Sequence, residues 1–280
     1  MVQNFHLPPS GFGPGSQADP SEGPELEYMP LPSGMRTYST HLPEIDEIEA
    51  DVSTALGLLA AMADAADRVG RGGAPEQFDL RPLDTANRAL LAETMGDGEV
   101  SMKLRGVPAL AVQESVFAGV WQVKGAEVDA IEIAPVPQAA RDRAFDAVAP
   151  ALGKDAPLSP QVVNAPALLA ELRDKSDAYG PGVEAHVVNL TLLPHTEADL
   201  DWLAATLGTG SVDVLSRGYG NCRVTATATP HVWHVQFFNS MDTRILDTYE
   251  VGPMPEVALA APEDLVDSGE RLREVLEAIR

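Results

Sequence analysis

Apolar positions recur along this chain with two different periods. From Glu44 onward, Ile45, Ile48, Val52, Leu56 and Leu59 fall three or four residues apart, the spacing that lines one face of a helix. Gly70, Gly72 and Gly73 close that pattern. At the other end, "APEDLVDSGERLREVLEAI" opens with Pro262 and acids and carries Leu265, Leu272, Val275 and Leu276 along one side. Proline and negative charge suit a helix N-terminus, so this segment reads as a well-defined helix. Between these helices, "EVSMKLR", "ALAVQESVF", "GVWQVK" and "VDAIEI" alternate apolar with polar positions, as do "SVDVLSR", "CRVTATAT", "HVWHVQFF" and "ILDTYEV". A period of two predicts strands with one buried face.

The two sets of strands belong to a repeat. "LRPLDTANRALLAETMGDGEVSMKLRG" from Leu80 aligns with "LLPHTEADLDWLAATLGTGSVDVLSRG" from Leu192 at a constant offset of 112. Gly96, Gly98, Arg105, Gly106 and Trp121 recur as Gly208, Gly210, Arg217, Gly218 and Trp233. After a six-residue insertion in the second copy, "EIAPVP" (132–137) matches "EVGPMP" (250–255). Upstream, "LLAAMADAADRVG" from Leu58 resembles "LLAELRDKSDAYG" from Leu168. In each copy the second helix begins near a good N-cap residue type, Asp84 or Thr196. It ends at a glycine, Gly96 or Gly208, suited to a left-handed C-cap.

The predicted fold is therefore α+β: two tandem, duplicated units with antiparallel sheets, packed about a pseudo-twofold axis, following a disordered N-terminal tail. Residues 1–36 are rich in Pro, Gly and Ser and form the tail; 37–150 form the first unit. Residues 151–186 are a linker and the helix opening the second unit, which spans 187–280. Within the first stretch, "MPLPSGMRTYSTHLPEID" carries Met35, Tyr38 and Leu42 and is a candidate for docking on the body.

Composition narrows the function classes. The net charge of −23 disfavours nucleic acid and anionic lipid and favours a basic partner. A single cysteine rules out an internal disulfide and multi-cysteine zinc or iron–sulfur patterns, and suits a reducing compartment. The N-terminus lacks the basic start and apolar run of a secretory signal, and no apolar stretch reaches membrane-spanning length. The expected setting is the cytoplasm, without direct membrane insertion.

With one copy as a control for the other, the polar chemistry falls in the second. "SRGYGNCR" (216–223) sets Tyr219, Asn221, Cys222 and Arg223 where the first copy has Val107, Ala109, Leu110 and Ala111. The insertion "FNSMDT" adds Asn239 and Asp242. Tyr219, Asn221, Arg223, Asn239 and Asp242 are candidates for a partner-binding patch, because Tyr and Arg are common interface anchors. A purely structural turn is the competing reading of this stretch. Arg223 beside Cys222 offers a way to a low thiol pKa, but Cys222 stands in a leucine's place, which favours a buried, inert thiol. Cys222, His231 and His234 are the alternative, metal-ligating set. "HVWH" puts the two histidines on opposite faces of a strand, so no dedicated metal site is expected. Arg105 with Arg217, and Glu132 with Glu250, are shared by both copies and read as scaffold contacts. No phosphate loop or nucleophile elbow is present. No catalytic residue and no cofactor are assigned.

The region of about 187–276, with the stretch from "NLTLLPHTEADLDWLAATLG" through "SRGYGNCR" to "EVALAAPEDLVDSGERLREVL", resembles the C-terminal region of the HupH/HyaF family, which includes HoxQ-type proteins. "MPLPSGMRTYSTHLPE" and the middle of the chain fit the family less closely. The resemblance implies a non-enzymatic, cytoplasmic maturation factor for uptake nickel–iron hydrogenases. Its expected client is the iron–sulfur small subunit precursor, before assembly and twin-arginine export. A thioredoxin-like accessory protein is a further expected partner. A metal or iron–sulfur cluster carrier using Cys222 and nearby histidines is the alternative.

Overall fold

In the computed structural model the described residues are 51–218 and 221–279. The tail expected at 1–36 and the candidate Tyr219 lie outside them. The first half runs α1 (Ser53–Gly70), β1 (Glu76–Asp79), α2 (Thr85–Met95), β2 (Val100–Leu104), β3 (Leu110–Glu114), β4 (Val120–Gly125), β5 (Asp129–Ile133) and α3 (Gln138–Arg143). The second runs α4 (Ala165–Ala178), β6 (His186–Asn189), α5 (Glu197–Leu207), β7 (Val212–Ser216), β8 (Asn221–Ala226), β9 (Val232–Phe238), β10 (Arg244–Val251), a 3₁₀ turn at Glu256–Ala258 and α6 (Pro262–Ile279).

The ten strands form one antiparallel sheet in the order β1-β5-β4-β3-β2-β7-β8-β9-β10-β6. Each half has the same internal order, so the repeat read from the sequence is a structural repeat. The duplicated antiparallel α+β units are as expected, and β2 pairs with β7, so the strands of the two units run on into one sheet. Met102 faces Val214 across that seam. These residues are each other's counterparts at the offset of 112, so a local twofold axis passes through the pair. The symmetry extends to reciprocal backbone bonds, with Arg105 N donating to Ser211 O and Arg217 N to Glu99 O. Arg105 also forms an ion pair with Asp213 across the seam.

Alternation along the strands divides the core between the two sheet faces. Trp121 and Trp233 point to one face, packed with Met102, Val112, Val214 and Val224. Their indole nitrogens donate to equivalent carbonyls, Ala134 O at 2.8 Å and Gly252 O at 3.3 Å. On the opposite face Val120, Ile131 and Ile133 meet Leu59, Met62 and Leu91 of the first-half helices. Val232, Tyr249 and Val251 meet Leu172, Leu203 and Leu207 in the second half. The symmetry breaks at the C-terminus. Helix α6 crosses to the first half, where Leu265 and Leu272 join the α1–α2 core.

Helix ends are tied in matching ways. Asp84 caps α2 by accepting from Asn87 N, and Thr196 caps α5 in a reciprocal capping box with Asp199. Asn87 and Asp199 are counterparts, and each also holds the first helix of its half. Asn87 Oδ1 accepts from Ala55 N at 2.7 Å. Asp199 Oδ1 accepts from the backbone nitrogens of Val163, Asn164 and Ala165 at 2.7–3.0 Å. Gly96 and Gly208 end α2 and α5 with φ of 53° and 69° but extended ψ of −163° and −170°. That region is even more glycine-dependent than the left-handed cap expected there.

Candidate interaction site

The start of β8 and the β9–β10 connection lie side by side because β8 pairs with β9. Asn221 is paired with Phe238, at the mouth of the β9–β10 turn. That turn is held by Asn239, whose Oδ1 accepts from Met241 N and Thr243 N at 2.9 and 3.0 Å. Asp242 sits there with φ of 55°, a conformation Asp tolerates better than most residues. Asn221 Nδ2 donates to Asp242 Oδ1 at 3.1 Å. Three of the five candidates, Asn221, Asn239 and Asp242, therefore meet at one corner of the sheet. Arg223 is exposed and projects to the same face as Asn221, two residues along the strand.

Cys222 points the other way. It is 2% exposed among Met102, Val224 and Trp233. Burial, reinforced by the Glu250 charge, pushes its thiol up to about 11, so little thiolate exists at neutral pH. Burial and this shift match the inert thiol expected from its leucine counterpart.

The alternative metal set is not brought together. His234 lies on the sheet face opposite Cys222, with Nε2 2.6 Å from Asp247 Oδ1 and its ring stacked on Tyr249 at 4.6 Å. His231 is not in a strand, contrary to the sequence reading. It lies in the turn before β9 with φ of 63°, its ring between Tyr179 and Phe145. Its counterpart is Gly119, with φ of 76°. The matching bonds are Ala134 N to Gly119 O and Gly252 N to His231 O. A Cβ on Gly119 would come within 2.3 Å of Leu265 in α6. Since α6 covers only the first half, the second half tolerates a side chain at this point. Among the described residues no group of three His, Cys, Asp or Glu side chains is placed to hold a metal.

The sequence reading missed a buried polar network behind this corner. Asp247 takes His234, Arg244 at 2.6 Å and Gln236 at 3.3 Å, while its backbone N donates to Thr191 Oγ1 at 2.8 Å. Burial alone would raise its carboxyl pKa, but these partners outweigh burial and hold it below the usual range. Its first-half counterpart is Asp129, paired with Arg88. An aspartate recurring within the matched "VDAIEI" and "ILDTYEV" strands was the available signal. Of the residues read as scaffold contacts, Glu132 accepts from Gln138 N at 2.7 Å and so caps α3.

A cavity of about 370 Å³ opens beside the corner, on the Cys222 face. Glu99, Glu114, Trp121, Gly218, Cys222 and Asp264 are among its walls. It spans both halves of the sheet. Glu114 is 8% exposed and accepts from Gly119 N at 3.1 Å. Burial, with a smaller contribution from the Glu99 charge, pushes its carboxyl up to about 7.

Fold and site together define a duplicated α+β scaffold whose halves share one sheet and differ at their strand ends. The chain belongs to the family of the HupH hydrogenase expression protein. The model of that family's C-terminal conserved region matches residues 52–152 and again 162–279, so both halves are copies of the region whose resemblance is close in the second half and weaker in the middle of the chain. The hydrogenase expression/formation protein HupH of Rhodobacter capsulatus is 65% identical over 280 residues, covering 100% of both chains. The hydrogenase expression/formation protein HoxQ of Cupriavidus necator is 45% identical, covering 99% of this chain and 98% of the relative. The hydrogenase-1 operon protein HyaF of Escherichia coli is 34% identical over 71% of this chain and 72% of its own. No helix among the described residues is long and apolar enough to cross a membrane.

Proposed function

We infer that this protein serves in the maturation of an uptake nickel–iron hydrogenase as a non-catalytic, cytoplasmic holder of the iron–sulfur small subunit precursor. The observation that carries the reading is end-to-end similarity to proteins named for hydrogenase expression and formation. The holding role is supported by the corner where Asn221 and Asp242 meet, since the first half has Ala109 at the Asn221 position and lacks the insertion that carries Asp242. The net charge of −23 speeds encounter with a basic client. Contact specificity then falls to the corner, with Tyr219 and Arg223 as anchors. A cluster carrier built on Cys222 is not favoured, because that thiol is buried away from both histidines.

Co-purification with the small-subunit precursor, with and without its signal peptide, tests the reading. Tyr219→Ala should mainly raise the dissociation rate of the complex, and added salt should mainly lower the association rate. Val107→Ala is the matched control. Val107 is fully exposed, so its truncation should change neither stability nor client release. Failure of the full-length protein to retain the precursor would refute the holding role.

A further inference from the structure

The twofold axis relates the cavity over Trp121 to a mate over Trp233. Under the repeat, Glu99, Trp121, Gly218 and Cys222 correspond to Ser211, Trp233, Gly106 and Leu110. The mate is filled from within the chain. Arg143, at the end of α3, donates Nη2 to Arg105 O at 2.7 Å and Nη1 to Pro108 O at 2.9 Å. A Cβ on Gly106 would touch that guanidinium at 2.8 Å. Two residues on, Phe145 packs edge-on against Trp233 at 5.1 Å. Ser211 fastens the segment, its hydroxyl donating to Arg143 O.

The second half cannot plug its site in this way. Counterparts of Arg143 and Phe145 are Ala261 and Glu263. After the 3₁₀ turn at Glu256–Ala258 the chain departs: Ala260 N donates to Pro135 O and α6 begins at Pro262, heading for the first half. What remains over Trp121 is a space with a carboxylate where the mate has a serine. A Cβ on Gly218 would meet Glu99 Oε2 at 2.4 Å, where the Gly106 position meets a guanidinium. Glu114, Glu256 and Asp264 add three more carboxylates, and no lysine or arginine is among the described residues that line it.

We propose that the cavity over Trp121 binds a protein partner through an arginine paired with Glu99, whose carboxylate stands where the first half has the Arg143 guanidinium, followed two positions later by an aromatic or large apolar side chain in the place of Phe145. Two independent observations converge on this. One is the uncompensated negative lining. The other is the molecule's own choice of occupant for the equivalent space. Guanidinium suits the position better than ammonium because it is planar and spans two acceptors at once, as Arg143 does. The proposal rests on the reading of the chain as a partner-holding protein and names the chemistry of what is held.

A fluorescent heptapeptide, Gly-Ser-Arg-Ala-Phe-Ser-Gly, titrated against the full chain, tests it. The Arg peptide should bind, and its Gln-for-Arg version should bind about tenfold more weakly, the loss of one charge-assisted contact pair. Glu99→Lys and Glu256→Lys, both at exposed residues, should each weaken the Arg peptide by about tenfold. Glu93→Lys on α2 makes the same charge change elsewhere and should leave binding within about twofold. No binding at millimolar peptide, equal binding of the two peptides, or equal weakening by Glu93→Lys would overturn the proposal. A second arm presents the small-subunit precursor. Retention by wild type but not by Glu99→Lys supports the proposal. Equal retention by both leaves the maturation reading standing and removes the cavity from it. Peptide discrimination without precursor retention does the reverse.

Discussion

The two halves of this sheet are built alike and finished differently. In the first, the strand-end loop after β2 is sealed by Arg143, which takes the carbonyls of Arg105 and Pro108. In the second, the equivalent loop borders an acidic cavity and a polar corner where Asn221 meets Asp242. The tryptophans, the paired glycines and the capped helices are common to both and account for the fold. What differs sits where a chain can change without disturbing the ladder, and that is where function belongs on such a scaffold. A duplicated protein thus carries its own control experiment.

The sharpest test of the likeness is to remove the shared core residues. Trp121→Ala and Trp233→Ala each delete a fully buried indole and orphan a carbonyl bond. Each should cost about 3–5 kcal/mol by urea denaturation. The two losses should agree within about 1 kcal/mol, and each variant should unfold in one transition, because β2 and β7 make the halves a single sheet. Two separated transitions would show that the halves are energetically independent.

Next in size is the pin of each half's first helix. Asp199→Ala leaves the backbone nitrogens of Val163, Asn164 and Ala165 without a carboxylate and should cost about 3 kcal/mol; Asn87→Ala, with one such bond to Ala55, should cost about 2 kcal/mol. The pins also differ in pH response. Burial raises the Asp199 carboxyl pKa, but the N–H donors of Ala165, Thr196, Val163 and Asn164 overcome it and leave it depressed. A depressed acid stabilises the fold above its unfolded value, near 3.9 for Asp, and that stability is lost as pH falls toward the folded value. Asp199→Asn should remove this acid-side loss, whereas Asn87 contributes none. Identical acid profiles for wild type and Asp199→Asn would disprove the assignment.

Glu114 moves stability in the opposite direction. Its carboxyl is raised to about 7, so between roughly 4.5 and 7 the folded state holds a proton that the unfolded chain releases. Stability from this group is therefore present at low pH and lost as pH rises through that window. Its counterpart, Ala226, has no such cost. Glu114→Gln should raise stability at pH 8 by about 2 kcal/mol and flatten the neutral-pH slope. No gain at pH 8 would mean that the charge is compensated.

Much of this scaffold was legible in the sequence, and the limits are instructive. Period-two alternation and the Gly-x-Gly, Arg-Gly and Trp landmarks were enough to place the strands and the repeat. The N-caps Asp84 and Thr196 were readable because capping is a local interaction. Joining the halves through β2 and β7 was not, since an alternating strand does not reveal which edge it will meet. Nor was the crossing of α6, whose apolar face fits either helix layer equally well by pattern. At the site, neighbours in sequence were readable while partners across the sheet were not. Asn239 and Asp242 stood out as an insertion. By contrast, the Asp247–His234–Arg244 cluster and the cavity depend on register and on where the chain leaves the sheet.

The smallest effect concerns the only cysteine, and it bears on the comparison most directly. Cys222 and Leu110 occupy equivalent positions on the Trp-bearing face, one as a thiol and the other as a hydrocarbon. If the second half had acquired chemistry at this position, the thiol would need exposure and a lowered pKa. It has neither: it is 2% exposed, and burial pushes it up to about 11. Cys222→Ala removes one buried sulfur from a wall that already borders a cavity, so the neighbours lose few contacts. The cost should be about 1 kcal/mol or less. Hydrogenase maturation should proceed in cells carrying the variant, and a thiol reagent should label the native wild type far more slowly than the urea-unfolded chain. A folded Cys222→Ala protein that fails in maturation would instead place chemistry on the thiol. The difference between the halves would then lie in reactivity as well as in what each surface can hold.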